Sequence, residues 1–182
     1  KNFKFGFKRK GNIKTLKKFE KLYDYKSIIT SPFKKNKKII SSTLIRKKIS
    51  LGKIQQTKEL LNREWSIKGK VIKGYRRGRK IGFPTCNIKL NDYIVPRLGV
   101  YAVKVKGSKF SKKGIANVGY RPTFNGQSLL LEVNIFGINK NLYNKDIHVS
   151  FVKFIRPEKK FKGLVQLKKQ IQIDINHVKK NV

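Results

Sequence analysis

The densest set of chemistry-bearing residues in this chain is Gly74-Tyr-Arg-Arg-Gly78-Arg-Lys80-Ile-Gly82-Phe-Pro-Thr85-Cys-Asn87. Gly74, Gly78 and Gly82 recur at a spacing of four among Arg76, Arg77, Arg79 and Lys80. Glycine lets backbone approach an anion closely and take positive φ, and the cations attract phosphate. Thr85 and Asn87, a hydroxyl and an amide two residues apart, can reach one hard cation through oxygen, the ligand type that Mg²⁺ prefers. The stretch reads as a phosphate-and-metal loop. It is neither G-x-x-x-x-G-K-S/T nor G-x-G-x-x-G, so the P-loop and Rossmann fingerprints do not apply. For these residues alone, a surface β-turn with solvated charges stands as the alternative.

Two further groups join it. Glu132 lies in Leu129-Leu-Leu-Glu132-Val-Asn-Ile-Phe136, in a chain with only 9 Asp+Glu. A carboxylate between apolar neighbours must be solvated, paired or in use. It reads either as a general base toward a hydroxyl or as a polar-face strand residue paired with a lysine. Ser41-Ser42-Thr43-Leu44-Ile45-Arg46 offers hydroxyls and free N–H groups at a helix start with an arginine one turn in, a second anion-binding candidate; the alternative is an ordinary capped helix. A phosphate loop, an Mg²⁺ pair and an isolated carboxylate together are the parts for phosphoryl transfer. In that reaction an alcohol is held in line with a γ-phosphate while metal and cations offset the growing charge.

The elements that must position these residues divide the chain near residue 62. The first part reads as helical and lysine-rich. Ile13, Leu16, Phe19, Glu20 and Tyr23 suggest an amphipathic helix, and Ile28-Ile29-Thr30 a short buried strand. Ser41 or Ser42 caps a helix that Gly52 ends, and another helix covers Gln55 to Leu61. After residue 62 strands dominate. Runs at 67–72, 101–106, 131–136 and 149–155 alternate or are apolar, with turn signals at Pro96 to Gly99, Gly107-Ser108, Asn125-Gly126 and Asn139 to Asn144. Several short strands so spaced imply an antiparallel barrel or sandwich. Leu164, Leu167, Ile171, Ile175 and Val178 form one apolar stripe on a closing helix.

Composition bounds the partners. The 182 residues hold 46 Lys+Arg, for a formal net charge of +37, which suggests either a polyanionic partner or compositional drift. The lysines are spread along the chain beside abundant Asn, Ile and Phe, which favours drift. One cysteine, Cys86, excludes an intrachain disulfide framework and suits a reducing compartment. His148 and His177 lie far apart and read as a strand and a surface-helix residue, so no zinc site is expected. No apolar run approaches the length of a membrane span. With no methionine and no start signal at Lys1-Asn2-Phe3, the chain is expected to be a fragment or an N-terminally truncated product.

The residues of the second part resemble riboflavin kinase, as found in the C-terminal module of the prokaryotic bifunctional riboflavin kinase/FMN adenylyltransferase (FAD synthetase) family. The matching blocks are Gly69-Lys-Val71 with Gly74, Gly78 and Gly82-Phe-Pro-Thr-Cys-Asn87-Ile; Pro96 with Gly99-Val-Tyr-Ala-Val; Ala116-Asn117-Val-Gly-Tyr-Arg-Pro-Thr-Phe124; Leu131-Glu132-Val with Leu142-Tyr143; and Phe154-Ile-Arg156-Pro-Glu-Lys-Lys-Phe161 before Leu167 and Asp174. The first part resembles the tail of the adenylyltransferase domain. Asn2-Phe-Lys-Phe-Gly6 is similar to its D-F-x-F-G segment, and Ile40-Ser-Ser-Thr-Leu-Ile-Arg46 matches I-S-S-T-x-I-R. The histidine-bearing nucleotide motif G-x-F-D-G-x-H-x-G-H is missing.

The resemblance implies a mainly β chain. A small antiparallel, Greek-key-like β-barrel with a C-terminal helix would fill residues 63–182 as a riboflavin kinase domain. Residues 1–62 would be an incomplete α/β remnant of the adenylyltransferase domain. It further implies ATP + riboflavin → ADP + FMN with Mg²⁺. Gly74, Gly78, Lys80 and Gly82 would cover the phosphates, with Tyr143 nearby. Thr85 and Asn87 would bind metal and phosphate, and Glu132 would be the base. Arg156, Phe161 and Asn117 would shape the flavin side. Ser41, Ser42, Thr43 and Arg46 would be the remnant of the adenylyl site. The family also makes FAD from FMN, a step this chain is not expected to complete. Departures are Cys86 for a usual Ala, Gly137-Ile138 where Asp-Phe is frequent, and Asn144 for a usual Gly. The expected partners are ATP and riboflavin, with no specific nucleic acid and no membrane, in the cytoplasm; the sequence sets no oligomeric state. The alternatives are a basic nucleic-acid-binding β-barrel or a folded remnant that no longer catalyses.

Overall fold

The computed structural model describes residues 3–35, 38–90, 92–123, 126–138 and 140–181. Asn2, Phe124, Asn125 and Asn139, which the sequence reading singles out, lie outside them. The chain forms two compact units, one through Ile39 and one from Ile40.

The first unit is held by local hydrogen bonds, and none of its described side chains is buried. A turn closes between Phe5 and Gly11, whose backbones exchange bonds of 3.0 and 2.9 Å. Helix α1 (Ile13–Phe19) is capped by Asn12, with Thr15 returning the bond to the cap backbone. This is the reciprocal arrangement that satisfies helix-start N–H groups. The helix stops at Phe19, and Tyr23 stands exposed, so the apolar spacing there serves no core. Ile28-Ile29-Thr30 is not a buried strand: the segment is irregular and Ile28 is 85% exposed. Among the described residues, the strands of this unit are the short antiparallel pair β1 (Lys34–Lys35) and β2 (Lys38–Ile39).

The second unit opens with two helices. In α2 (Ser42–Ser50), Ser41 caps the start by accepting from Leu44 N at 3.2 Å, and Gly52 follows at φ 70°. Helix α3 (Ile54–Leu61) comes next. Six strands then form an antiparallel sheet in the order β3 (Ser66–Lys70), β8 (Asp146–Arg156), β5 (Gly99–Gly107), β6 (Phe110–Thr123), β7 (Gly126–Ile135) and β4 (Cys86–Lys89). The two edge strands, β3 and β4, approach each other, and the bridge Ile72↔Asn87 joins their ends through Ile72 N–H to Asn87 O at 2.9 Å. The sheet is thus a nearly closed barrel. Strands β4 and β6 are absent from the sequence reading, where their residues registered as motif rather than as alternating pattern. His148 is on β8 and His177 on the closing helix, as expected.

Alternation on each strand divides inside from outside. Tyr101, Val103, Val105, Leu131, Val133, Val149 and Phe151 are fully buried inside the barrel. The Phe151 ring lies 4.7 Å from Trp65 at a tilt of 41° and meets Tyr101 edge-on at 5.0 Å. Ile49 of α2 and Ile54 of α3 join this core, each 2% exposed. On the outer face, Val100, Ala102 and Ile115 make a second, smaller core with Ile175 and Val178 of α5 (Leu164–Asn181). The apolar stripe of α5 is therefore split. Its C-terminal half docks on the barrel while Leu164 is 64% exposed.

Because α2 and α3 plug the barrel core, Ile54→Ala should destabilise the second unit by about 2–5 kcal/mol. A chain begun at residue 40 should melt higher than one begun at residue 63. Chemical denaturation and thermal melting followed by circular dichroism check both; equal melting of the two fragments would show that the helices add nothing to the core.

Candidate active site

One row of residues crosses the outer face of five strands. Register pairs Asn87 (β4) with Glu132 (β7), Glu132 with Asn117 (β6), Asn117 with Val100 (β5), and Val100 with Arg156 (β8). Glu132 has apolar sequence neighbours because Leu131 and Val133 point into the core while Ser128, Leu130, Glu132 and Asn134 point out. This row floors a cleft of about 1400 Å³, larger than the ~300–1,000 Å³ of an ordinary small-ligand pocket.

The segment from Ile72 to Asn87 forms one wall. Gly74 stands against Asn87, and a Cβ built there would overlap the Asn87 amide, so glycine is what admits the close approach. Arg76 at φ 54° turns the chain into the short helix α4 (Arg77–Lys80), and Gly82 at φ 90° takes it out again. Lys73, Gly74, Arg76, Gly78 and Thr85 line the cleft, whereas exposed Lys80 and Gly82 sit on α4 and its exit, off the lining. Thr85 also borders a small adjoining hollow of about 60 Å³ that Tyr143 lines. The Arg76 guanidinium lies over the Tyr143 ring at 5.8 Å. Cys86 points inward and its thiol donates to Val133 O at 3.4 Å. Burial pushes that thiol up to about 11, so it is no nucleophile at neutral pH.

The opposite wall is Phe161 with Leu164, Leu167 and Ile171 of α5. Arg156 anchors it. Its Nε and Nη2 reach the Asp174 carboxylate at 3.0 and 2.7 Å, and Gln170 adds a bond to Asp174 at 2.9 Å. The side chains of this pair are 14% and 5% exposed. Arg156 therefore acts on the cleft by fixing α5, and its Nη1 donates to Pro157 O at 3.0 Å.

Glu132 is paired, but not with a lysine. Arg121 of β6 donates to its Oε2 from Nη2 at 2.6 Å and Nε at 2.9 Å. Arg121 also reaches Glu158, which accepts from Asn117 at 2.9 Å. Sequence reasoning missed Arg121 and Glu158 as site residues. The signal was present in the period-2 spacing of Asn117 and Arg121, had 110–123 been read as a strand. The helix-start group does not join the cleft: Ser41 is spent on capping, and Ser42, Thr43 and Arg46 are exposed along α2. Among the described residues, no cluster of three His, Cys, Asp or Glu could hold a metal.

A family model described as flavokinase, riboflavin kinase, matches residues 61–182. The bifunctional riboflavin kinase/FMN adenylyltransferase of Buchnera aphidicola subsp. Schizaphis graminum is 46% identical over 98% of this chain and 59% of its own length. The protein of the same description from Haemophilus influenzae is 41% identical over 98% of this chain and 58% of its own. The chain thus spans under two-thirds of these relatives. A solved Streptococcus pneumoniae structure, described as a macrolide-efflux protein, superposes with a TM-score of 0.81 at 34% identity, covering 97% of this chain and 57% of that one. On the match across residues 61–182 and these relatives, the chain belongs to the riboflavin kinase family.

Proposed function

We propose that the cleft transfers the γ-phosphoryl group of ATP to the ribityl 5′-hydroxyl of riboflavin, giving FMN and ADP. The observation that carries this reading is the row Asn87–Glu132–Asn117, which puts a carboxylate between a glycine-rich basic wall and an apolar wall. The basic wall, with Lys73, Arg76 and Gly74, takes the nucleotide phosphates. Phe161, Leu167 and Ile171 take the flat flavin ring. The ribityl oxygen then bonds to the γ-phosphorus, the bond from that phosphorus to the β–γ bridging oxygen breaks, and the hydroxyl proton passes to Glu132. In such a loose transition state the protein's work is positioning and charge compensation.

A divalent ion, Mg²⁺ in our reading, would offset phosphate charge when bound. Thr85 and Asn87 suit an ion that arrives with the nucleotide, since Mg²⁺ typically keeps substrate phosphates and water in its shell. We place Gly78 against the nucleotide with Tyr143 beside it, Lys80 and Gly82 shaping that wall from behind the lining, and Phe161 and Asn117 around the flavin, whose wall Arg156 sets by fixing α5. Residues 63–182 are proposed as the kinase domain. Residues 1–62 are proposed as the incomplete end of an adenylyltransferase domain, with Ser41, Ser42, Thr43 and Arg46 its phosphate-side remnant. The partners are the small-molecule substrates, with no specific nucleic acid, since the lysines are dispersed along the chain. Among the described residues no helix is long and apolar enough to cross a membrane. The single cysteine accords with a cytoplasmic location.

Glu132→Gln should lower turnover by about 10²–10⁴-fold, the usual yield of general base catalysis, with riboflavin and ADP affinities little changed. Thr85→Ala should weaken nucleotide binding as well as turnover. Steady-state kinetics with calorimetric titration separate the two; near-normal turnover of Glu132→Gln would reduce Glu132 to a strand residue paired with Arg121.

The 182 residues should form no FAD from FMN and ATP above a no-enzyme blank, because Ser41 to Arg46 supply only part of a phosphate cradle and the histidine motif is missing from these residues. Chromatographic detection of FAD would contradict that assignment.

A further inference from the structure

Arg121 is the hub of a polar network that the reaction as described leaves unused. It stands on β6 four residues beyond Asn117, on the same outward face. Its Nε and Nη2 converge on one oxygen of Glu132, Oε2. Its Nη1 donates to Glu158 Oε1 at 3.2 Å and to Tyr120 O at 2.9 Å. Glu158 in turn holds Asn117. The space for this network is set by Gly119: a Cβ built there would overlap the Glu158 carboxylate and stand 2.8 Å from Arg121 Nη1. The Arg121 and Glu132 side chains are 28% and 29% exposed, so the pair is shielded but reachable from the cleft. Burial alone would lower the basicity of Arg121, and the hydrogen bonds it donates to Glu132 and Glu158, with their charges, more than reverse it, so the cation stays charged.

Among the described residues, Glu132 Oε1 receives no hydrogen bond. One carboxylate oxygen is therefore clamped, and the other is left without a described protein partner on a side chain that lines the cleft. A planar guanidinium can place two N–H groups on one oxygen, whereas an ammonium acts as a point charge. We propose that Arg121 is a positioning residue for phosphoryl transfer. By holding Oε2 it aims Oε1 of Glu132 at the substrate hydroxyl, and by holding Glu158 it ties that aim to the segment leading to Phe161 and α5. The inference rests on Glu132 being the base.

Its test is a double-mutant cycle on the full 182-residue chain. Arg121→Gln should lower kcat by about 10–100-fold, the scale at which misplacing a reacting group is felt, while KM for ATP and riboflavin stays within about threefold. Arg121→Lys should recover part of the rate. In the Glu132→Gln background, Arg121→Gln should add little, since the group it aims is gone. An unchanged kcat, a loss confined to KM, or the same fold-loss in both backgrounds would overturn the proposal and leave Glu132 as base. Near-normal turnover of Glu132→Gln alone would overturn the base assignment and the proposal with it. Should Arg121→Gln fail to fold, Glu158→Gln carries the same cycle, with a smaller expected fall in kcat that also vanishes in the Glu132→Gln background.

Discussion

The site depends on the register of five antiparallel strands. Asn87, Glu132, Asn117, Val100 and Arg156 come from positions spread over 70 residues of sequence, yet they lie in one row because each is the direct cross-strand partner of the next. A slip of one residue in any ladder would turn that strand's cleft residues into the core and its core residues outward. Burial of Leu131 and Val133 on one side of Glu132, and of Val118 beside Asn117, is what forbids the slip. Hydrophobic packing inside the barrel therefore sets the aim of polar groups outside it. The core needs α2 and α3 as well, because Ile49 and Ile54 are buried in the same cluster as Trp65 and Phe151.

A second constraint fixes the other wall. The Arg156–Asp174 pair joins the last barrel strand to the middle of α5 under nearly complete burial. Such a pair is weak evidence of net stability, because desolvating two charges offsets most of their attraction. Its consequence is geometric. Removing one partner would leave a buried charge unpaired, at a cost of about 3–5 kcal/mol, so α5 is held at one angle and its N-terminal half must overhang the cleft. The exposed Leu164 and the half-buried Leu167 and Ile171 are explained by that overhang rather than by poor packing.

The parts of the site with local signatures were legible in the sequence. Gly74, Thr85, Asn87 and Glu132 announce themselves by type and spacing, and the structure brings all four to one cleft. The cap at Ser41 and the start of α2 follow from side-chain chemistry alone. What could not be read was relational. Arg121 and Glu158 matter through partners 11 and 37 residues away, and β6 hides its period behind glycine and proline. The reading of Ile28-Ile29 as buried strand failed for a related reason: hydrophobicity predicts burial only where a partner surface exists, and no described side chain of the first unit is buried. Asn144 shows the opposite case. It stands at φ 62°, a conformation that glycine takes freely and asparagine tolerates, so its departure from glycine leaves the turn intact.

The central claim is that Glu132 faces the accepting hydroxyl from the floor of the outer cleft. A crystal structure of the chain with ADP, Mg²⁺ and riboflavin tests it most directly. The account predicts the ribityl 5′-oxygen within about 2.6–3.2 Å of Glu132 Oε1, with the ADP phosphates along the Gly74 wall and the flavin ring against Phe161. A 5′-oxygen beyond hydrogen-bond reach of Glu132, or a flavin bound away from this cleft, would contradict it.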